Sequence, residues 1–424
     1  MPMTGWRRLS SPRPYKLLTS VAAGALLISG CGVLPGASGG SREPVTVMTW
    51  APDTTGADTV NMAGMPAMAR TYARWINEQG GIDGHELRVL TCNEQDTASG
   101  ASKCARRAAD EDVAAVVGSY SRYGRAFLAP LESAGIPYIG GYGASADEFT
   151  SYLSYPVNGG QPALVAGNGE QLAADCERVS LVRPDTLVGD TLPGLLDASL
   201  SRSNRPASYD ISAPEEATSY DSQAAKALEQ AGGGCVTAVL GKGTGTFFDS
   251  FRRLESKDDE VRISSVLGSV GQGLIDRSGG RNSPFEGALV TGWYPDSGDA
   301  RWDEMRQVID TYAFKDNRID PEDTGVQTTW IAYTVLKAVI EAMDESSITA
   351  GGVSVSLNRG TEVDTGGLTP VLRWRFQDMV GTAAYGRIVN GRVTFQVVRD
   401  GRLTSAKKGF VDITETLVNA GSGV

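Results

Sequence analysis

Short apolar runs alternate with amphipathic helical stretches along most of this chain, and that rhythm constrains the fold more than any other feature. The first apolar run, VTVMTWA at residues 45–51, is followed by a polar loop and a helical pattern at residues 62–78. Further strands are predicted at residues 86–91, 113–118 and 137–140, and further helices at residues 101–111 and 125–134. Strands that alternate with helices across short turns form a parallel sheet with right-handed crossovers.

The same rhythm restarts near residue 160 and predicts a second unit. Helices are predicted at residues 161–175, 192–200, 222–230, 247–254 and 328–343, and strands at residues 179–182, 207–211, 236–240, 262–267 and 289–293. A chain of 424 residues is too long for a single core of ordinary size, so two α/β lobes are expected. The tail reads as β structure at residues 373–376, 392–398 and 409–413, with a hairpin turn at Arg399-Asp400-Gly401.

The N-terminus has the layout of an export signal. Four basic residues and no acid precede an uncharged run at residues 17–29. That run is too short to span a bilayer, which needs roughly 20 apolar residues. The sequence Ile28-Ser29-Gly30-Cys31 resembles a bacterial lipobox, which predicts a signal peptide at residues 1–30 and a lipid on Cys31. A plain secretory signal with a chance cysteine is the alternative, and Arg7-Arg8 gives a weak indication of twin-arginine export.

The segment after the signal is rich in Gly, Ser and Pro, so residues 31–44 are predicted to form a flexible tether. The acyl chains, rather than a basic patch, would hold the protein at the membrane, because the net charge is −11. The same acidic balance argues against a nucleic-acid partner, which would need a basic face.

The cysteines support the same compartment. Of five, four remain once the predicted lipidation site is set aside, and an even number outside the cytoplasm suggests two disulfides. Three connectivities are possible. We favour Cys92–Cys104, which joins the end of a predicted strand to the next helix, and Cys176–Cys235, which joins the starts of two strands. A zinc site is not expected, because there is no CxxC pair and no nearby His.

A more specific pattern lies at residues 76–96, INEQGGIDGHELRVLTCNEQD, where a helix ends in INxxGGIxG and a strand runs into an acidic loop. This stretch and residues 97–118 resemble the leucine/isoleucine/valine-binding (branched-chain amino acid) family of ABC-transporter solute receptors. The resemblance runs from about residue 45 to about residue 343. His85 lies in the turn of this pattern and is expected to be exposed to solvent.

The resemblance implies an α/β fold of the type I periplasmic-binding-protein kind. Two lobes are joined by a hinge, and each is a mostly parallel sheet flanked by helices. We expect lobe 1 to contain residues 45–157 and about 295–370, and lobe 2 to contain residues 158–294 and about 371–424.

Ligands bind beyond the carboxyl ends of the strands in open α/β sheets. Three first-lobe loops qualify, and all are rich in hydroxyls and free backbone N–H groups, which suit a carboxylate. They lie at residues 52–58, 119–124 and 141–146. By position, the resemblance assigns ligand contacts to Ser121, Arg122, Gly143 and Ser145. Arg122 departs from the family's pattern, and it is either a cation in the pocket or a surface arginine.

The second-lobe loops at residues 184–189, 241–246 and 268–271 match the family less closely. Leu187 and Val188 stand where the family often has an aromatic ring. Ser269 stands where amino-acid-binding members have an acid that neutralises the ammonium group, and Asp185 could substitute for it. Asp185, Thr186, Gly243 and Ser269 are the second-lobe candidates for ligand binding.

These observations predict a lipid-anchored, extracytoplasmic solute-binding protein of an ABC importer. Its expected ligand is a small polar molecule, such as an amino acid, an amide or a related carboxylate, and its expected partners are the permease subunits. A monomer without cofactor or metal is expected. The alternative is a sensor of the same fold without a transport role. An extracellular enzyme is disfavoured, because the sequence shows no nucleophile elbow and no other acid–base or nucleophile constellation. Nucleotide binding is disfavoured, because the GKGTGT sequence lacks Walker spacing.

Overall fold

The computed structural model describes residues 42–54, 60–255 and 261–420. The predicted signal peptide, Cys31 and most of the predicted tether lie outside these residues. The end of the predicted tether belongs to the first strand, which begins at Arg42 rather than at residue 45. Arg42 is in register with His85 on the neighbouring strand, so the sheet extends to this residue.

The first lobe contains a five-stranded parallel sheet. Its strands are β1 (Arg42–Ala51), β2 (His85–Asn93), β3 (Ala115–Val117), β4 (Tyr138–Ile139) and β5 (Ser154–Tyr155). They lie in the order β2-β1-β3-β4-β5. Three helices connect them, α1 (Gly64–Glu78), α2 (Ala98–Asp110) and α3 (Gly124–Ala134). The predicted strand–helix alternation and parallel pairing are confirmed here.

The chain then builds a second parallel sheet. Its helices are α4 (Gly160–Asp175), α5 (Leu192–Arg202), α6 (Asp221–Ala231), α7 (Thr244–Leu254) and α8 (Gln272–Arg277). Its strands are β6 (Val179–Pro184), β7 (Tyr209–Ala213), β8 (Cys235–Ala238), β9 (Arg262–Val266) and β10 (Leu289–Gly292). All four contacts among these strands are parallel.

The last third of the chain serves both sheets. Helices α9 (Asp303–Tyr312) and α10 (Thr324–Met343) pack on α1, and α11 (Ala350–Arg359) packs on α10. Strands β11 (Arg392–Arg399), β12 (Arg402–Ser405) and β13 (Val411–Asp412) and helix α12 (Thr414–Ala420) complete the second lobe. The second sheet has the order β12-β11-β10-β9-β8-β6-β7, and β11 pairs with β10 and β12 in the antiparallel sense. The predicted hairpin at Asp400 and Gly401 is confirmed, and both residues have positive φ.

Helix α10 forms much of the first-lobe core. Its Trp330 and Tyr333 rings lie 5.2 and 5.3 Å from the Tyr72 ring of α1. Glycines where β3 and β4 end allow its close approach, because a Cβ on Gly140 would lie 2.4 Å from the Ala332 methyl group and one on Gly118 would lie 3.0 Å from Thr329. Within the described ranges no helix has both the length and the apolarity to cross a membrane.

One disulfide lies in each lobe, and both pairs are those that the sequence predicted. Cys92 on β2 is bonded to Cys104 on α2. Cys176 follows α4 and is bonded to Cys235 at the start of β8. The parallel pairing of β6 with β8 brings the two strand starts together, because Val179 is in register with Cys235.

Two expectations were wrong. The strand predicted at residues 373–376 is absent, because Arg375 donates to Asp378 at 2.7 Å and the chain turns there. His85 is buried rather than exposed, since its ring lies between two backbone carbonyls. Its Nδ1 is 2.6 Å from the Glu43 oxygen and its Nε2 is 3.0 Å from the Glu345 oxygen.

Candidate ligand-binding cleft

A cleft of about 790 Å³ lies between the two lobes. In the first lobe its walls are residues 60–62, which precede α1, and the loops that follow β3 and β4. In the second lobe they are the loops that follow β7, β8, β9 and β10, and residues 320–324 before α10 complete the lining. The carboxyl ends of both parallel sheets therefore face the same space, where open α/β folds bind ligands.

Aromatic rings from both lobes meet in this cleft. The Tyr142 ring lies 5.3 Å from the Tyr120 ring and 5.3 Å from the Trp293 ring. Trp293 follows β10 in the second lobe, and its indole N–H donates to the Gly160 carbonyl at 2.9 Å. We call Tyr120, Tyr142 and Trp293 the aromatic wall. The Tyr120 and Trp293 rings are inclined by 56° and 87° to the Tyr142 ring, so the aromatic wall is an angled apolar surface in a cleft that also contains many polar groups.

Gly143 lies in the cleft, on a loop that a buried carboxylate holds in place. The Glu148 side chain accepts hydrogen bonds from the backbone N–H groups of Gly143 at 3.2 Å and Ser145 at 3.0 Å. Burial raises the pKa of Glu148 to about 8, and these backbone bonds oppose the shift. The two hydrogen bonds to Glu148 hold this loop in one conformation, so the backbone of Gly143 is preorganised at the cleft surface.

Ser145 does not line the cleft, because its hydroxyl caps the turn at Ala146–Phe149. The hydroxyl accepts from the Asp147 N–H at 3.2 Å. Ser121 is also turned away: its hydroxyl donates to Glu94 at 2.9 Å and accepts from the Tyr123 N–H at 3.1 Å. The expectation that both hydroxyls face the cleft does not match this structure, and their contact with a ligand stays a prediction.

Arg122 does reach the cleft wall. Its guanidinium donates to Asp96 at 2.7 Å and lies 5.6 Å from the Tyr123 ring centroid. About 45% of its side chain remains exposed, so a guanidinium face is still available to a ligand. Beneath it, burial raises the pKa of Glu94 to about 7, while the hydrogen bond from Ser121 lowers it.

Among the second-lobe candidates, Ser269 lies in the cleft, where its hydroxyl accepts from the Gly241 N–H at 3.2 Å. Gly243 is buried behind the surface, and a Cβ there would lie 2.7 Å from the Tyr220 hydroxyl. Asp185 and Thr186 are outside the cleft lining. Thr186 instead accepts from the Gly189 N–H at 3.0 Å, which shapes the loop after β6.

Residues 320–324 supply cleft groups that the sequence reasoning missed. Asp323 accepts from the N–H groups of Gly325 and Val326 at 2.9 and 3.0 Å and so caps α10. Burial raises its pKa. The Thr324 hydroxyl lies 3.1 Å from the Tyr142 hydroxyl. An Asp before a helix is an N-cap signal, but the apolar periodicity predicts a helix that starts only at residue 328, whereas α10 starts at Thr324.

The charges of the cleft are mixed, with more carboxylates than cations. Lys242 is paired with Glu216 at 2.8 Å, and Glu322 is paired with Arg402. A ligand that carries both charges, or hydrogen-bonding groups of both kinds, fits such a lining. Across residues 42–54, 60–255 and 261–420, no cluster of three or more His, Cys, Asp or Glu side chains could hold a metal ion.

Comparison with known proteins gives one consistent result. A family model described as periplasmic binding protein matches residues 49–408. No curated protein matches the chain in sequence.

Solved structures resemble the chain in fold. A possible leucine/isoleucine/valine-binding protein from Rhodopirellula baltica is 12% identical with a TM-score of 0.70, over 90% of this chain and 100% of that one. A branched-chain amino acid ABC transporter protein from Thermus thermophilus, with bound valine, is 15% identical with a TM-score of 0.68, over 89% and 98%. A leucine-binding protein from Thermotoga maritima is 16% identical with a TM-score of 0.64, over 87% and 99%.

Proposed function

Because the chain belongs to the periplasmic binding protein family, whose members bind solutes outside the cytoplasm and are not enzymes, we propose that it is the solute-binding protein of an ABC importer. Its ligand is a small polar molecule: an amino acid, an amide or a related carboxylate. The observation that carries this proposal is the interlobe cleft, into which the strand ends of both sheets open. The names of the structural neighbours, one with valine bound, support an amino-acid ligand.

The ligand-binding residues are part of the proposal. Arg122, Gly143 and Ser269 line the cleft and would contact the ligand directly. The remaining candidates are proposed to act from around the cleft or after the lobes move, as hinge closure in such folds brings new groups to the ligand. They are Ser121, Ser145, Asp185, Thr186 and Gly243.

The lobe boundaries belong to the proposal too. Residues 45–157 and about 295–370 would move as lobe 1, and residues 158–294 and about 371–424 as lobe 2. The packing of α10 on α1 supports the first grouping, and the pairing of β11 with β10 supports the second. The protein would be anchored to the outer face of the membrane through a lipid on Cys31 and would deliver ligand, as a monomer, to permease subunits.

Binding is tested by calorimetry with a panel of amino acids, amides and carboxylates on the wild type, Arg122→Gln and Arg125→Gln. Arg125 is the matched control, because its side chain is 94% exposed and does not line the cleft. Arg122→Gln should weaken binding of acidic ligands by about 10- to 150-fold, the range for a lost charge-assisted hydrogen bond, while Arg125→Gln should not. No binding of any panel member by the wild type would contradict the proposed ligand class.

The transport role needs a separate measurement. Deletion of the gene should abolish uptake of the ligand found by calorimetry, and the wild-type gene should restore it. Normal uptake in the deletion strain would favour the sensor alternative.

A further inference from the structure

One buried phenol lies where the chain passes between the two lobes. In the proposed lobe division, two of these passages lie at residues 157–158 and 294–295. Tyr294, which follows β10, accepts a hydrogen bond on its hydroxyl from the Asn158 side-chain amide at 3.0 Å. The Asn158 oxygen in turn accepts from the Gly160 N–H at 2.9 Å, where α4 begins. Both side chains are buried, so a direct bond joins the two passages.

The same hydroxyl also reaches the first lobe. It lies 3.0 Å from the Thr328 hydroxyl on α10. Thr328 donates its own proton to the Thr324 carbonyl at 2.7 Å. Since a hydroxyl has one proton, Tyr294 must be the donor to Thr328. The Tyr294 hydroxyl therefore accepts from Asn158 and donates to Thr328, and its donation links the end of β10 to the first-lobe helix α10.

The segment that leads into β11 is the third passage between the lobes, and it is bonded at the same place. Asn390 of this segment donates to the Val157 carbonyl at 3.3 Å. On β11, Thr394 and Gln396 donate to the Tyr294 carbonyl at 2.7 and 3.1 Å. All three donor side chains are buried. Tyr294 thus contacts two passages through its side chain and β11 through its backbone.

The lobes also meet across the cleft beside this residue. Trp293 of the aromatic wall precedes Tyr294, and its ring lies 5.3 Å from the Tyr142 ring. Tyr142 reaches from the first lobe to the loop after β9, since a Cβ on Gly268 would lie 3.3 Å from the Tyr142 hydroxyl. The hydrogen bonds of Tyr294 are therefore formed in a lobe arrangement in which cleft loops of both lobes are in contact.

We propose that the Tyr294 hydroxyl is a positioning group for ligand binding, because its bonds to Asn158 and Thr328 favour the arrangement in which the lobes meet. The inference rests on the proposed function, since Tyr294 does not line the cleft and would act on ligand affinity only through lobe closure. Apparent affinity falls in proportion to the fraction of molecules in the binding-competent arrangement. Removing this hydroxyl should therefore weaken binding without removing a ligand contact.

The test compares Tyr294→Phe with Tyr333→Phe. Tyr333 on α10 is the matched control, because it is fully buried and its hydroxyl lies 2.8 Å from a threonine hydroxyl, that of Thr49. Thr49 donates to the Val117 carbonyl at 2.6 Å, as Thr328 does to Thr324, but this set lies within the first lobe. Calorimetry with a ligand from the panel should show an affinity about fivefold weaker in Tyr294→Phe, the factor for one lost hydrogen bond, and unchanged in Tyr333→Phe.

Two variants of Thr328 test the same bond from its other side. Thr328→Ser keeps the hydroxyl and should bind ligand as the wild type does. Thr328→Val removes the hydroxyl and should weaken binding as Tyr294→Phe does, which keeps the inference testable if Tyr294→Phe does not fold. Equal affinity losses in Tyr294→Phe and Tyr333→Phe would overturn the inference, because the loss would then follow from a buried hydroxyl anywhere in the fold.

Small-angle X-ray scattering of the mature protein without ligand tests the lobe arrangement separately. Tyr294→Phe should have a larger radius of gyration than the wild type and Tyr333→Phe, because fewer molecules keep the lobes together. Identical scattering from Tyr294→Phe and the wild type would overturn the inference. If the wild type binds no member of the panel, the proposed ligand class fails, while the scattering result still decides whether Tyr294 holds the lobes together.

Discussion

The Ser121 hydroxyl donates a hydrogen bond to the Glu94 carboxylate at 2.9 Å, and both side chains are fully buried. Ser121, which the sequence analysis assigns to the ligand site, therefore holds the cleft loops in place from behind the cleft surface. The same hydroxyl accepts from the Tyr123 N–H, where α3 begins, so it connects the loop after β2 to the loop after β3.

Ser121→Ala should therefore affect stability more than binding. It removes the donor to Glu94 and the acceptor for Tyr123, which should lower the free energy of unfolding by about 1–3 kcal/mol. Ser269→Ala, in the cleft, should weaken ligand binding more than Ser121→Ala does. Urea unfolding and calorimetry on both variants check this. A larger loss of affinity in Ser121→Ala than in Ser269→Ala would mean that the Ser121 hydroxyl contacts the ligand.

Glu94 predicts a specific pH dependence of stability. Burial raises its pKa from 4.5 to about 7, so the folded state holds a proton that the unfolded state releases. The stabilisation is fully present below about pH 4.5 and is lost as pH rises through about 7. Between these pH values the free energy of unfolding of the wild type should fall by on the order of 2 kcal/mol more than that of Glu94→Gln.

The measurement is urea unfolding from about pH 5 to pH 8, with Glu86→Gln as the control, because Glu86 is 56% exposed and forms only a surface ion pair with Arg88. The control should follow the wild-type profile. Parallel profiles for Glu94→Gln and the wild type would mean that this carboxyl does not titrate in the window.

Replacing Glu148 by the isosteric Gln should lower both stability and ligand affinity, although Glu148 does not line the cleft. One oxygen of its carboxyl accepts from Gly143 and the other from Ser145. At about pH 9, above the Glu148 pKa of about 8, the ionised carboxylate has two acceptor oxygens and the Glu148→Gln amide has one, so one buried N–H loses its partner. Stability should fall by about 1–3 kcal/mol, and ligand affinity should fall with it because the Gly143 loop is no longer fixed. Unchanged affinity alongside the stability loss would exclude Gly143 as a ligand contact.

Much of the fold could be predicted because the strands and helices carry their own periodic signals. Of the helices that the sequence analysis does not predict, α9 has an amphipathic pattern with two acids in its first turn, whereas α11 has a weak local signal. Helix α11 contains two glycines and several Ser and Val residues, which have low helix propensity, and it is held by packing on α10. The false strand at residues 373–376 has the opposite cause, since the contact between Arg375 and Asp378 overrides its β-type sequence.

The site could be predicted only in outline. Strand ends indicate which loops face a cleft, and the family resemblance assigns Arg122, Gly143 and Ser269 within those loops; all three line the cleft. The direction of a side chain within a loop depends on distant partners, such as Glu94 for Ser121. The aromatic wall joins Tyr142 and Trp293, which are far apart in the chain, and no spacing in the sequence indicates that contact.

The two disulfides should differ in their contribution to stability. Cys92 and Cys104 are separated by 12 residues, and Cys176 and Cys235 by 59. A longer closed loop removes more conformational entropy from the unfolded chain, so the second bridge should contribute about 1 kcal/mol more than the first. Urea unfolding of Cys92→Ala/Cys104→Ala and of Cys176→Ala/Cys235→Ala compares them, since each double variant loses the same atoms from a mostly buried bridge. A larger loss for the first-lobe pair would mean that local packing around the sulfurs, rather than loop length, sets the order.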